Sequence, residues 1–174
     1  MKQLILLRHA EAQAQRPGLA DFDRSLTDRG RTEALDAADR LRRATVRIDA
    51  LLASPALRAK ETALIIAAQL DFNFGLRYEP VLYQGEALEL LQPLQQCSPA
   101  VATVLIVGHN PTLSLLARHM AGDVPIATAA ADDGGTAQEK PLELGTAGAC
   151  QFGLDTVAWG DLQPHHVKTV TLLR

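Results

Sequence analysis

Side chains able to do chemistry gather at three places in this chain, each directly after a short apolar run. Arg8-His9 follows Leu4-Ile5-Leu6-Leu7, Ser54-Pro55-Ala56-Leu57-Arg58 follows Asp49-Ala50-Leu51-Leu52-Ala53, and Gly108-His109-Asn110 follows Thr103-Val104-Leu105-Ile106-Val107. Short continuous apolar runs read as strands buried on both faces, and in open α/β sheets ligands sit beyond the carboxyl ends of such strands. If the three strands are neighbours, Arg8, His9, Arg58 and His109 converge on one spot. A cluster of that kind repels itself unless an anion fills it, and phosphate is the obvious candidate. Taken singly, each of these residues has a plainer reading, as a loop side chain meeting solvent or a carbonyl. Their common placement after a strand is what points to a site. Zinc would need closely spaced His, Cys or carboxylate ligands. His165 and His166 are adjacent near the C-terminus and His119 lies within a helical stretch, so these three read as surface residues, and no metal or cofactor is implied.

The elements that must position these residues alternate between strand and helix. Residues 3–8 form the first strand, and residues 9–27, with Pro17 and Gly18, a loop. Thr27 is a plausible N-cap for a helix over 28–44 that carries Ala34, Leu35, Ala38 and Leu41 on one face. A second strand spans 49–54, and Pro55 sits near the first turn of a helix reaching about Leu70. A weaker strand over 76–81 precedes a helix over 86–96. The clearest strand, 103–107, runs into Gly108-His109-Asn110-Pro111, where a helix begins that continues to Met120. The Ala-, Gly- and Asp-rich stretch 121–146 reads as an extended surface loop, and residues 148–154 and 167–173 as two closing strands. This alternation predicts an α/β domain, a three-layer α/β/α sandwich with a mostly parallel central sheet. No repeat or linker divides residues 1–174, which read as a single domain.

Composition narrows the function classes. The chain has 174 residues, 47% apolar and 21% charged, and its 17 Lys+Arg against 20 Asp+Glu give a net charge of −3. That length carries one self-sufficient core. No basic run marks a nucleic-acid partner, whereas a small anion needs only two or three cations in one pocket. Cys97 and Cys150 read as two buried thiols rather than a disulfide framework. The N-terminal apolar run is too short for a signal peptide or for the roughly 20 residues of a membrane helix, so a cytoplasmic location is expected. No heptad or apolar patch bears on oligomeric state.

Four ordered motifs resemble those of the histidine phosphatase superfamily, which includes the phosphoglycerate mutases. Arg8-His9-Ala10-Glu11 resembles that family's Arg-His-Gly-Glu tetrad, and Leu26-Thr27-Asp28-Arg29-Gly30 its Leu-Thr-x-x-Gly element. Ser54-Pro55-Ala56-Leu57-Arg58-Ala59-Lys60-Glu61-Thr62-Ala63 is similar to its Ser-Pro-x-x-Arg-x-x-x-Thr-Ala block, and Val107-Gly108-His109-Asn110-Pro111 to its second-histidine segment. The short length and the segment Leu142–Gly148 resemble the SixA-type phosphohistidine phosphatases. The resemblance implies a phosphoglycerate mutase-like fold with His9 as the nucleophile that takes the phosphoryl group, and with Arg8, Arg58 and His109 holding the phosphate. Phosphoryl transfer demands mainly positioning and charge stabilisation, and forming a phosphohistidine on the enzyme divides one displacement into two.

Departures from the pattern carry information. Ala10 stands where glycine is usual. Many family phosphomonoesterases carry a glutamate acid in a Leu-x-Glu context after the third strand, and here the similar segment reads Leu82-Tyr83-Gln84-Gly85. Glu79 and Glu86 flank it, as substitute acids or as solvated surface carboxylates. An alkoxide leaving from a phosphomonoester needs a positioned acid, whereas the basic leaving nitrogen of phosphohistidine takes a proton from solvent. The leading reading is therefore a metal-independent phosphatase acting on phosphohistidine of a protein partner, a phosphotransfer domain. Its alternatives are a phosphatase of a small phosphorylated substrate, using Glu79 or Glu86, and an inactive phosphate-binding module. Smaller readings stay paired. Glu11 orients an Arg or His of the site or is an exposed loop residue; Ser54 meets the phosphate or caps the following helix; Asn110 is a cap and Trp159 core.

Overall fold

The computed structural model describes residues 1–44, 47–72, 75–129 and 142–173. Its centre is a seven-stranded sheet of order β3-β2-β4-β1-β6-β7-β5, built from β1 (Lys2–Arg8), β2 (Ala50–Ala53), β3 (Leu76–Tyr78), β4 (Thr103–Gly108), β5 (Ile126–Ala129), β6 (Ala149–Leu154) and β7 (Val167–Leu173). Strands β3, β2, β4 and β1 run parallel, β6 is antiparallel to both its neighbours, and β5 is parallel to β7. The helices are α1 (Asp28–Arg43), α2 (Leu57–Gln69), the single turn α3 (Val81–Gln84) and α4 (Thr112–Ala121).

Alternation along the strands builds the two cores. Leu4 and Leu6 of β1, Leu52 of β2 and Val104 and Ile106 of β4 face α4 and Trp159. Ile5 and Leu7, Leu51 and Ala53, and Leu105 and Val107 point the other way, against α1 and α2. Apolar side chains on both faces are why these runs show no polar alternation in sequence. The expected three layers with a mostly parallel sheet are what the chain forms. Thr27 caps α1 by accepting from the Gly30 N–H. The buried face of that helix is Ala34, Ala37, Ala38 and Leu41, whereas Leu35 is 41% exposed.

Several boundaries differ from the sequence reading, each for a local reason. The strand expected over 76–81 stops at Tyr78, because Pro80 starts the turn that becomes α3. The helix expected over 86–96 is a 3-10 segment, Leu88–Gln96, with Pro93 inside it. Proline lacks the amide hydrogen and crowds the preceding turn, so an α-helix cannot run through. The stretch read as loop over 121–146 contains β5, and its end is buried at Leu142 and Leu144; residues 130–141 lie outside the described residues. The loop over 9–27 contains a 3-10 turn, Asp21–Asp23. Cys150 is buried as expected, but Cys97 is only half-buried.

Candidate active site

Strand register decides where the polar residues arrive. Arg8 of β1 lies opposite Gly108 of β4, and Ala53 of β2 opposite Val107. The next residue of each strand then leaves the sheet at the same level, with the His9 amide donating to the Gly108 carbonyl (3.0 Å) and the Ser54 amide to that of Val107 (2.9 Å). His9 and His109 therefore stand side by side, ring centroids 4.9 Å apart. Arg58, in the first turn of α2, reaches over to them.

The hydrogen bonds of His9 fix its tautomer. Nδ1 lies 2.7 Å from the Ala10 carbonyl oxygen, which can only accept, so Nδ1 carries the proton. Nε2 then presents its lone pair, and the Arg58 Nε–H donates to it at 3.2 Å. Burial pushes the imidazole down to about 4, helped by the charges of Arg58, Arg8 and Arg24 and opposed by the Ala10 carbonyl. At neutral pH the ring is uncharged. His109 is lowered further, to about 3, first by burial and then by His9 and Arg58. Its Nε2 lies 2.8 Å from Ser54 Oγ, and that oxygen already accepts from the Ala56 amide at 3.2 Å. Either partner of that bond can donate, and with the proton on His109 Nδ1 it is the Ser54 hydroxyl that donates to Nε2. That Nδ1, like Arg8 Nε, is buried without a partner in the protein. Unpaired buried polar groups are costly, and with its proton on Nδ1 His109 joins Arg8 in offering unspent donors that suit an anion with several acceptor oxygens.

The cationic cluster does not repel itself when no substrate is bound, for two reasons. Both histidines are neutral, and Asp21 supplies a carboxylate. Its Oδ2 accepts from Arg58 Nη2 (2.9 Å) and from the Tyr83 hydroxyl (3.1 Å), its Oδ1 pairs with Arg24, and its backbone carbonyl accepts from Arg58 Nη1 (2.6 Å). Partial burial works to raise the Asp21 pKa, but the hydrogen bonds from Arg58 and Arg24 outweigh it and hold the carboxyl at about 2.

A ring of backbone and hydroxyl contacts steadies the cluster. Thr62 Oγ1 accepts from the Ala10 amide (3.1 Å), fixing the residue after His9. The Leu144 carbonyl accepts from Arg8 Nη1 (3.2 Å) and Asn110 Nδ2 (2.7 Å), while Ser114 ties Asn110 to the Leu144 amide. Asn110 is therefore a clamp on the segment before β6 rather than a helix cap. Ser54 orients His109 and closes the turn before α2, whose N-cap is Ala56. Glu11 contacts neither a site arginine nor a site histidine. Its carboxylate accepts from Thr27 Oγ1 (2.7 Å), joining the loop to α1. Trp159 is core, 2% exposed. Among the described residues no three His, Cys, Asp or Glu side chains group as metal ligands.

Comparison with known proteins gives the family. The histidine phosphatase superfamily (branch 1) pattern matches residues 4–82. The protein histidine phosphatase SixA in complex with tungstate is 25% identical over 88% of each chain, TM-score 0.70. A structure assigned to the phosphohistidine phosphatase SixA of Agrobacterium tumefaciens is 26% identical, covering 88% of this chain and 92% of that one, TM-score 0.72. The chain belongs to the histidine phosphatase superfamily and is of the SixA type. It is a phosphatase, a hydrolase by class. An uncharacterised protein of Mycobacterium tuberculosis is 31% identical over 158 residues, 91% of this chain and 92% of the relative.

Of the four residues singled out by sequence, His9, His109 and Arg58 meet directly, and Arg8 is near enough for its charge to act on His9. Glu79 instead pairs with Arg77 (3.3 Å) and Glu86 is exposed, so neither reaches the cluster as a substitute acid. Sequence reasoning missed Asp21, Arg24, Tyr83 and the Leu144 backbone. The i, i+3 spacing of Asp21 and Arg24 was a faint signal, but nothing local says that such a pair will cap Arg58. Tyr83 adjoins Gln84, the position compared with the family acid. It is Tyr83 that turns toward His109, ring centroids 5.5 Å apart, while Gln84 is exposed.

Proposed function

We propose that this protein is a metal-independent phosphatase in which His9 Nε2 attacks phosphorus, and that its substrate is phosphohistidine on a protein, such as a phosphotransfer domain. The observation that carries the reading is the state of His9: neutral, Nδ1–H engaged by Ala10, and Nε2 aimed at Arg58. In the first step Nε2 bonds to phosphorus as the substrate's P–N bond breaks, and the leaving imidazole takes a proton from solvent. Water then attacks phosphorus, the Nε2–P bond breaks, and phosphate and neutral His9 are restored. Arg8, Arg58 and His109 Nδ1–H hold the equatorial oxygens throughout. A SixA relative takes up tungstate, an oxyanion resembling phosphate, which supports an oxyanion ligand for this chain.

The substrate class rests on the carboxylates at the cluster. Among the described residues the one in contact with it is Asp21, and at about 2 it is ionised at any pH near neutrality. An ionised carboxylate cannot protonate a leaving alkoxide, while a phosphoramidate has no such need. The sheet runs unbroken from β1 to β7, which supports residues 1–174 acting as one catalytic domain. The test is parallel turnover of a phosphohistidine-bearing phosphotransfer protein and a panel of phosphomonoesters, without added metal. Fast loss of protein phosphohistidine, slow ester hydrolysis and no turnover by His9→Ala are expected. Efficient hydrolysis of one ester would overturn the substrate assignment, and activity in His9→Ala the nucleophile.

A further inference from the structure

Arg58, at the centre of the site, spends all of its hydrogen bonds on other protein groups. Arg58 Nε–H covers the His9 lone pair, and both terminal nitrogens of Arg58 hold oxygens of Asp21, one from the backbone and one from the carboxylate. The same carboxylate holds Arg24 at 2.8 Å and accepts from the Tyr83 hydroxyl. Its arrangement is that of a bound anion: two oxygens, two guanidinium partners and one hydroxyl donor. The Arg58 side chain is 6% exposed while that of Asp21 is 44% exposed, on the short turn Asp21–Asp23. The cation is buried and its partner is open to solvent.

We infer that Asp21 is an internal anion that occupies Arg58 and Arg24 in the resting enzyme and exchanges with the phosphoryl group at binding and release. This rests on the proposed phosphate site and adds a role to it. An arriving phosphoryl group takes Arg58 from the carboxylate, which uncovers His9 Nε2. Once phosphate has formed, the carboxylate competes for the same guanidinium and speeds its departure. Asp21 is thus a positioning residue that sets affinity and product release.

The exchange can be read by calorimetric titration of inorganic phosphate into the wild-type protein, Asp21→Asn, Asp23→Asn and Arg58→Ala. Asn keeps the backbone carbonyl and the size of the side chain but removes its charge. Asp21→Asn should bind phosphate about three- to tenfold more tightly, the range expected for loss of one partly exposed ionic competitor. It should also lower KM, increase product inhibition by phosphate, and leave the melting temperature within a few degrees. Asp21→Glu should return affinity toward wild type. Tyr83→Phe, which frees the carboxylate from one partner and keeps the ring on His109, should tighten binding by a smaller factor. Unchanged or weaker binding by Asp21→Asn would overturn the inference. So would equal tightening by Asp23→Asn, since a diffuse charge effect would then explain both. The phosphate site itself is judged separately: binding by wild type that Arg58→Ala abolishes upholds it, whatever Asp21 does. No binding by wild type or Asp21→Asn would overturn both.

Discussion

Acidification should reach His9 before it reaches Asp21. With His9 held at about 4 and Asp21 at about 2, lowering the pH protonates Nε2 while the carboxylate is still charged. Turnover should therefore hold steady on acidification from neutrality and fall as pH passes through about 4, measured as kcat/KM against pH. Stability responds earlier. A histidine titrating at about 6.5 when unfolded and at about 4 or 3 when folded binds more protons in the unfolded state between those values, so stability declines as pH falls below about 6.5. Melting temperatures measured from pH 7 to pH 4.5 should fall, and His109→Gln should flatten the decline. An equally steep decline in that variant would contradict burial of a neutral ring. At this scale Arg8, His9, Arg58 and His109 were legible because each follows an apolar run. Asp21 and Tyr83 were not, since a carboxylate in a polar loop and a tyrosine in a short helical turn look like surface until the fold brings them to Arg58.

Register among β2, β4 and β1 is the structural cause of the site, and a close approach of α1 to the backbone after β1 holds the chain that leaves it. Gly30 shows the constraint most clearly. A Cβ there would run into the backbone carbonyl of Glu11, which accepts from the Thr27 amide and cannot retreat without opening the entry to α1. Gly30→Ala should cost about 2 kcal/mol of unfolding free energy, within the range for overpacking. A urea denaturation midpoint unchanged from wild type would contradict the close approach. The Leu26–Gly30 motif was visible in sequence, and this contact explains its glycine. Other elements were hidden for physical reasons. Ile126-Ala127-Thr128-Ala129 has too little apolar alternation to announce an edge strand and becomes β5 by pairing with β7. The apolar pattern of 88–96 looks helical, but Pro93 restricts it to 3-10 turns.

On the scale of the whole molecule, two cores clamp one sheet and leave its carboxyl edge to carry the chemistry. Among the described residues no helix is long and apolar enough to cross a membrane. The layered architecture and mixed sheet were legible because strand and helix patterns alternate over most of the chain. What covers Arg58 depends on long-range contacts between residues 37 positions apart, which no local pattern encodes. The most direct test of the whole account is rapid mixing of the intact protein with a phosphohistidine-bearing phosphotransfer protein, followed by an alkaline quench and peptide mapping. A transient acid-labile phosphate on His9, bonded to Nε2 and not Nδ1, absent from His9→Ala and decaying as phosphate is released, is expected. Turnover with no phosphate on His9, or with phosphate on Nδ1, would contradict the account.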